Sequence, residues 1–248
     1  MKRLGWQVPL GISLVLLSAA FYFMHYLIFR DPHHILIYLI GDIAFVFIEV
    51  LMVTLIIHRV LEQREKKERL EKLNMVIGVF FSEVGVKLLK ILSLHDSAVE
   101  KLQQKLKMKE ESTAQIFQKV QQWLRMHDYK MDAGKVDWES LEKFLTGKKD
   151  FLLRLLENPN LLEHESFTDV LWAVFHLTEE LDARENLKRL SKEDIQHLHG
   201  DMNRVYGQLA HQWLKYMEHL KSSYPYLFSL ALRTNPFNRT ASPEVHTS

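Results

Sequence analysis

The chain has 248 residues, with 32 basic against 31 acidic side chains, 13 histidines and no cysteine. A net charge of +1 gives no drive toward nucleic acid. The absence of cysteine excludes disulfides, thiol catalysis and cysteine-ligated zinc, and the few glycines and prolines among many Leu, Lys, Glu and Gln residues predict an all-α protein.

The chain divides by composition into a hairpin over residues 1–60, a charged connector over 61–73, a helical domain over 74–237 and a disordered tail over 238–248. Val8 to Phe29 contains no Asp, Glu, Lys or Arg. It meets the requirement of about 20 apolar residues for a helix crossing a bilayer core of ~30 Å. Lys2 and Arg3 would suit a signal peptide, but the apolar run goes on past Ala20 through Met24, longer than a signal core, so an uncleaved span is expected. Pro32 enforces a tight turn, and Ile35 to Ile57 forms a second span. Basic residues follow the second span at Arg59, Arg64, Lys66, Lys67, Arg69 and Lys72, whereas the loop offers only Arg30. Both termini are therefore expected in the cytoplasm of a cell with this protein in its inner membrane.

Asp42 and Glu49 interrupt the second span. Seven residues apart, they share one helix face. A rise of about 1.5 Å per residue puts Tyr22 and His25 of the antiparallel first span near Asp42, and Ser18 nearer Glu49. A carboxylate at such depth costs on the order of 3 kcal/mol and normally faces protein or water. Two roles fit: a carboxyl hydrogen-bonded across helices that fixes an oligomer, or a proton or cation relay. Two spans cannot enclose a pathway alone, which favours the first.

Beyond the spans, Leu61 to Lys72 carries i,i+4 acid–base pairs and continues the helix as a solvated connector. Leu73 to Leu94 is apolar at helical period, with Gly78, Ser82 and Gly85 as a strip of small residues suited to close helix packing. Ser97, Ser112, Asp137, Ser166 and Ser191 read as helix starts. The helix after Ser166 carries Phe167, Val170, Leu171, Val174, Phe175, Thr178 and Leu181 on one side. The helix after Ser191 is the longest, to about Lys221. Its seam, Ile195, Leu198, Met202, Val205, Leu209, Trp213, Tyr216 and Leu220, has bundle or coiled-coil spacing. An acidic stretch, 150–186, follows a Lys-rich one, which suggests packing of one on the other or a basic protein partner.

No phosphate-binding loop, dinucleotide fingerprint, zinc-protease motif or nucleophile elbow occurs. Asp194, His197 and Asp201 share one helix face, and His176, Glu179 and Glu180 share another. Acid and histidine on facing helices can hold metal, as in di-iron bundles, but those sites need carboxylates from two further helices. His176, Glu179, Asp194 and His197 are thus weak metal candidates, and surface or core-edge roles are expected for them. No cofactor and no catalytic residue is expected.

Asn74 to Gly85 (NMVIGVFFSEVG) and Tyr224 to Leu230 (YPYLFSL) resemble segments of an uncharacterised family of bacterial two-span membrane proteins. The resemblance reaches to about Phe237 and implies an inner-membrane setting without any activity. The fold expected is a two-helix transmembrane hairpin followed by a cytoplasmic helical bundle. The function expected is a non-enzymatic, membrane-anchored scaffold or signalling protein. It would contact the lipid bilayer, self-associate through its spans and meet a cytoplasmic protein partner. The alternative is a small proton- or cation-linked device built on Asp42 and Glu49.

Overall fold

A computed structural model of the protein describes residues 7–129, 131–161 and 164–244, and these form two units divided between Lys66 and Lys67. Lys2 and Arg3, used above for topology, lie outside them, as do Glu163 of the acidic stretch and the last four residues. The protein is all-helical: among the described residues the only strand-like feature is an isolated bridge between Asp96 and Met131.

The first unit is a helical hairpin. α1 spans Gln7–Phe29 and α2 begins at Pro32, running to Phe80. The turn between them is two residues long, and its chemistry is local. Arg30 adopts a left-handed backbone (φ 51°), and its N–H donates to the Tyr26 carbonyl at 2.9 Å, closing α1. The Asp31 carboxylate then accepts from the backbone N–H groups of His33 and His34 at 2.9 and 3.3 Å, capping α2, whose first residue is a proline. Val8–Phe29 and the apolar part of α2 are each long and apolar enough to cross a membrane, and their most apolar windows are wholly exposed. The connector part of α2 is laced by exposed i,i+4 pairs, His58–Glu62 at 3.0 Å and Lys67–Glu71 at 4.0 Å.

The second unit is built around one long helix. α2 ends in a π turn, Phe81–Gly85, followed by α3, Val86–Ser93. Then come α4 (Val99–Lys105), α5 (Ala114–Met126), α6 (Trp138–Thr146), α7 (Lys149–Leu156), α8 (Glu165–Asp182), α9 (Lys192–Ser223) and α10 (Pro225–Arg233). α9 packs against α3, α5, α8 and α10. Every residue expected on the inner side of α8 is buried. On α9 the buried set is wider than the expected seam, because Tyr206, Ala210, Gln212, Leu214 and Met217 are buried as well.

Helix starts separate into two groups. Asp137 and Ser191 cap α6 and α9 as their spacing predicts, accepting from Ser140 N and Asp194 N, both at 3.1 Å. Ser112 and Ser166 do not cap. The Ser112 hydroxyl instead accepts from Lys109 N, and α8 is capped by His164, whose Nδ1 accepts from Phe167 N at 3.3 Å. The chain beyond Phe237, expected to be disordered, is held as far as Glu244. Phe237 is buried against Tyr206 and Trp213, Gln103 donates to Asn238 Oδ1, and Arg233 donates to the Pro243 carbonyl.

The two glycines Gly85 and Gly200 bracket the packing. A Cβ on Gly85 would lie 2.5 Å from Cδ1 of the buried Phe81 ring, whereas one on Gly200, inside α9, meets nothing within 4 Å. Gly85→Ala is expected to destabilise the fold by about 1–3 kcal/mol through overpacking. Gly200→Ala is expected to stabilise it by about 0.5–1 kcal/mol through helix propensity. Thermal melting followed by circular dichroism reads both.

Candidate functional site

Three polar groups have the concentration of side chains that chemistry needs. The first lies in the hairpin. Tyr22, His25 and Asp42 line one cavity of about 650 Å³ between α1 and α2, together with Ser18, His34 and Tyr38. Ser18 lines this cavity with Asp42, and Glu49 does not line it. The His25 and His34 rings stack with centroids 5.8 Å apart, and His34 meets Tyr38 at 4.7 Å. His25 Nδ1 is buried without a hydrogen-bond partner among the described residues. The cavity thus strings titratable and hydroxyl groups between two otherwise apolar helices. Asp42 and Glu49 are both exposed on the hairpin.

The small-residue strip serves unequal ends. Gly78 admits the Tyr216 ring of α9, whose hydroxyl would stand 3.3 Å from an added Cβ. Gly85 admits the rings of Phe80 and Phe81 from its own helix. Ser82 is exposed and lines a groove with Met75, Val79 and Leu230.

The second group spans α8 and α9 and was legible only in part. His176 and Glu180 stand one turn apart on α8, and His197 and Asp201 one turn apart on α9. His197 Nε2 lies 3.4 Å from Glu180 Oε2 and 3.4 Å from Asp201 Oδ2. His176 Nε2 lies 3.9 Å from Glu180 Oε1 and 3.7 Å from Asp201 Oδ2. Two of the four residues singled out from sequence, His176 and His197, are in this cluster. Asp194 stands one step out, bound to Arg184 at 3.2 Å, and Glu179 is exposed. Their places are taken by Glu180 and Asp201, which share the same two helix faces. Spacing alone could not choose between neighbours on a face, since that choice depends on how α8 and α9 are rotated about each other. Arg184 bonds Glu180 at 2.7 Å, and this hydrogen bond, ahead of the Arg184 and histidine charges, holds the Glu180 carboxyl below its usual range. Arg204 donates to Asp201 Oδ1 at 3.0 Å.

The third group was not foreseen. Lys215 Nζ donates to Ser166 Oγ at 3.1 Å, and Ser166 Oγ in turn donates to Gln212 Oε1 at 3.4 Å. Burial, and then the nearby Arg125 charge, lowers the Lys215 pKa. A serine beside such a lysine can serve as nucleophile and base. Ser166 Oγ also lies 3.4 Å from His164 Nδ1, and through Lys215 and Gln212 the arrangement ties α8 to α9. The signal in the sequence, Ser166, also reads as an N-cap, which concealed it.

Elsewhere the domain buries neutral imidazoles. Burial is the leading cause that lowers the pKa of His95, His127, His164, His211 and His219. A depressed histidine pKa means that the unfolded chain binds more protons than the folded one below the unfolded value of 6.5. Stability from these residues is therefore full above that value and lost as pH falls through the folded values. Asp96 runs in the opposite sense at lower pH: desolvation raises its carboxyl, which accepts from Tyr206 at 3.2 Å. The expected result is a melting temperature that is flat near neutrality and falls as the pH drops below 6.5. His211→Gln is expected to reduce that fall. Calorimetric melts of the full chain across this range check it.

Comparison with known proteins sets these groups in a family. Residues 2–61 match the family described as MJ1433, N-terminal helical domain, and residues 69–233 match that described as Uncharacterized protein MJ1433, C-terminal helical domain. Uncharacterized protein MJ1433 of Methanocaldococcus jannaschii is 49% identical over 233 residues, covering 94% of this chain and 94% of the relative. No solved structure matches the chain. With matches across both of its helical regions and 49% identity to that relative over 233 aligned residues, the chain belongs to the MJ1433 family of uncharacterised helical proteins.

Proposed function

We propose that this is an integral membrane protein, anchored by the α1–α2 hairpin with both termini in the cytoplasm, and that its helical domain acts as a non-enzymatic scaffold or interaction module at the membrane surface. The observation that carries this reading is the complete exposure of the apolar windows of both helices. A core helix of a soluble protein of the same composition would be buried. A contiguous apolar surface far above a few hundred Å² marks contact with lipid or another apolar partner. The helix ends at the turn fit a hairpin that crosses a membrane, since the Arg30 N–H closes α1 on Tyr26 and Asp31 caps the first turn of α2. The excess of Lys and Arg after the second span, against a lone Arg30 in the loop, sets the orientation. Reporter fusions at Pro32 and at the C-terminus should report opposite sides of the membrane. A C-terminal alkaline phosphatase fusion active outside the cell would refute this topology.

Self-association through the spans follows from Asp42 and Glu49. Both are exposed on the hairpin; Asp42 borders the cavity between α1 and α2, whereas Glu49 lies outside it, and a lipid-facing carboxyl at the Glu49 depth is costly, so a second copy is the economical cover. If that cover is a hydrogen bond, Glu49→Gln should preserve assembly, because an amide still donates and accepts, and Glu49→Leu should weaken it. A second reading, a proton- or cation-linked device, is favoured by the cavity that joins Asp42 with His25, His34 and Tyr22. Under it, Asp42→Asn should abolish ion flux into liposomes as fully as Asp42→Leu. The expected outcome is assembly that tolerates amides and no wild-type flux. Flux in wild type that Asp42→Asn removes would establish the second reading.

A further inference from the structure

We propose that His176, Glu180, His197 and Asp201 form a binding site for a divalent transition metal of the zinc class, which clamps α8 to α9. The proposal is independent of the membrane reading, because all four residues lie in the helical domain.

Donor spacing is the first support. The ligand atoms of His176, Glu180 and His197 all lie within 4.8 Å of one another. The four imidazole–carboxylate separations run from 3.4 to 3.9 Å. Charge-assisted hydrogen bonds between these groups would close to about 2.7–2.9 Å. Zinc bound to nitrogen and oxygen at about 2.0–2.2 Å in tetrahedral geometry sets its ligand atoms roughly 3.3–3.5 Å apart. The two separations from His197, both 3.4 Å, match the spacing of ligands around an ion, and the two from His176, at 3.7 and 3.9 Å, are a few tenths of an ångström wider; none is as short as a charge-assisted hydrogen bond.

Asp201 supplies the second, independent support. Its side chain is only 5% exposed, yet Oδ2 has no hydrogen bond among the described residues and is directed at both imidazole Nε2 atoms. A buried carboxylate oxygen without a donor is costly, and a cation between Asp201 and the two histidines would satisfy it.

The surroundings fit the same use. Each carboxylate has an arginine on it: Arg184 on Glu180 Oε2 and Arg204 on Asp201 Oδ1. Asp201 Oδ2 is thus left toward both imidazoles and Glu180 Oε1 toward His176, while Glu180 Oε2 faces His197 as well as Arg184, and the arginines orient the carboxylates as outer partners do in metal sites. Two imidazole nitrogens and two carboxylate oxygens suit zinc and its neighbours, whereas calcium and magnesium prefer all-oxygen sets. The imidazoles are 45% and 54% exposed at the side chain, so the site is open to ions from solution.

The test is titration of the full chain, purified in detergent with any affinity tag removed and stripped by chelator, with Zn²⁺ followed calorimetrically. One equivalent is expected to bind in the micromolar range or tighter, to raise the melting temperature, and to be undisturbed by millimolar Ca²⁺. His197→Gln, at a half-exposed position that leaves the core intact, and Asp201→Asn should each weaken Zn²⁺ binding by about tenfold or more. Glu179→Gln and Asp194→Asn, outside the cluster, should bind as wild type does. The metal-free melting temperature of His197→Gln should match wild type, which separates loss of a ligand from loss of the fold. Absence of saturable Zn²⁺ binding by the wild-type chain would overturn the proposal. So would stoichiometric binding that survives both His197→Gln and the double substitution His176→Gln/His197→Gln.

Discussion

The helical domain depends on burial of α9. A 32-residue helix that carries Trp213, Tyr206, Leu209 and Met217 in fully or nearly fully buried positions must be covered on more than one side. α3, α5, α8 and α10 supply that cover. Each largely buried leucine or aromatic contributes on the order of 2 kcal/mol, so the placement of the shorter helices follows from what α9 needs covered. Phe237 extends the same logic past the last helix, packing edge-on to Trp213 and fixing the chain that follows. The polar side chains obey it too. Asp201 and Gln212 are buried because α9 is; Gln212 accepts from Ser166 of α8, and Asp201 accepts from Arg204 of α9 itself.

The hairpin is governed by a different solvent. Its apolar side chains meet no protein core, and the Asp31 side chain of its two-residue turn caps the helix that follows. Where the domain sorts residues into inside and outside, the hairpin is apolar all round, with a single polar seam turned inward at His25, His34 and Asp42. That contrast explains why one composition rule reads the hairpin and another the domain.

Much of this was readable before any coordinates. Hydropathy located α1 and the start of α2 to within a few residues, although α2 runs on past the second span to Phe80, and helical periodicity found the inner face of α8 and the seam of α9. What failed was local. Ser112 and Ser166 look like caps, but Thr113 and His164 hold the N-cap positions: the Ser112 hydroxyl is taken by a local turn from Lys109, and that of Ser166 by a tertiary partner, Gln212. The His/carboxylate cluster lay between these cases. Its two helices and both histidines were legible from i,i+3 and i,i+4 spacing. The exchange of Glu179 for Glu180 and of Asp194 for Asp201 was not, since each pair sits on one broad face and only the α8–α9 packing selects a member. The tie through Lys215 was invisible because it joins residues 49 apart in the chain.

The π turn at Phe81–Gly85 makes the spacing of this segment as important as its chemistry. Counted at about 100° per residue, the buried residues before it, Leu73, Ile77 and Phe80, and those after it, Leu88, Leu89 and Leu92, centre on directions roughly 100° apart. One additional residue in the turn absorbs that difference and lets both sets enter the same core. Between Ile77 and Leu88, family members can therefore exchange side chains of similar size while the number of residues stays fixed. A deletion of one residue would restore an unbroken α-helix and swing either the upstream or the downstream stripe out of the core.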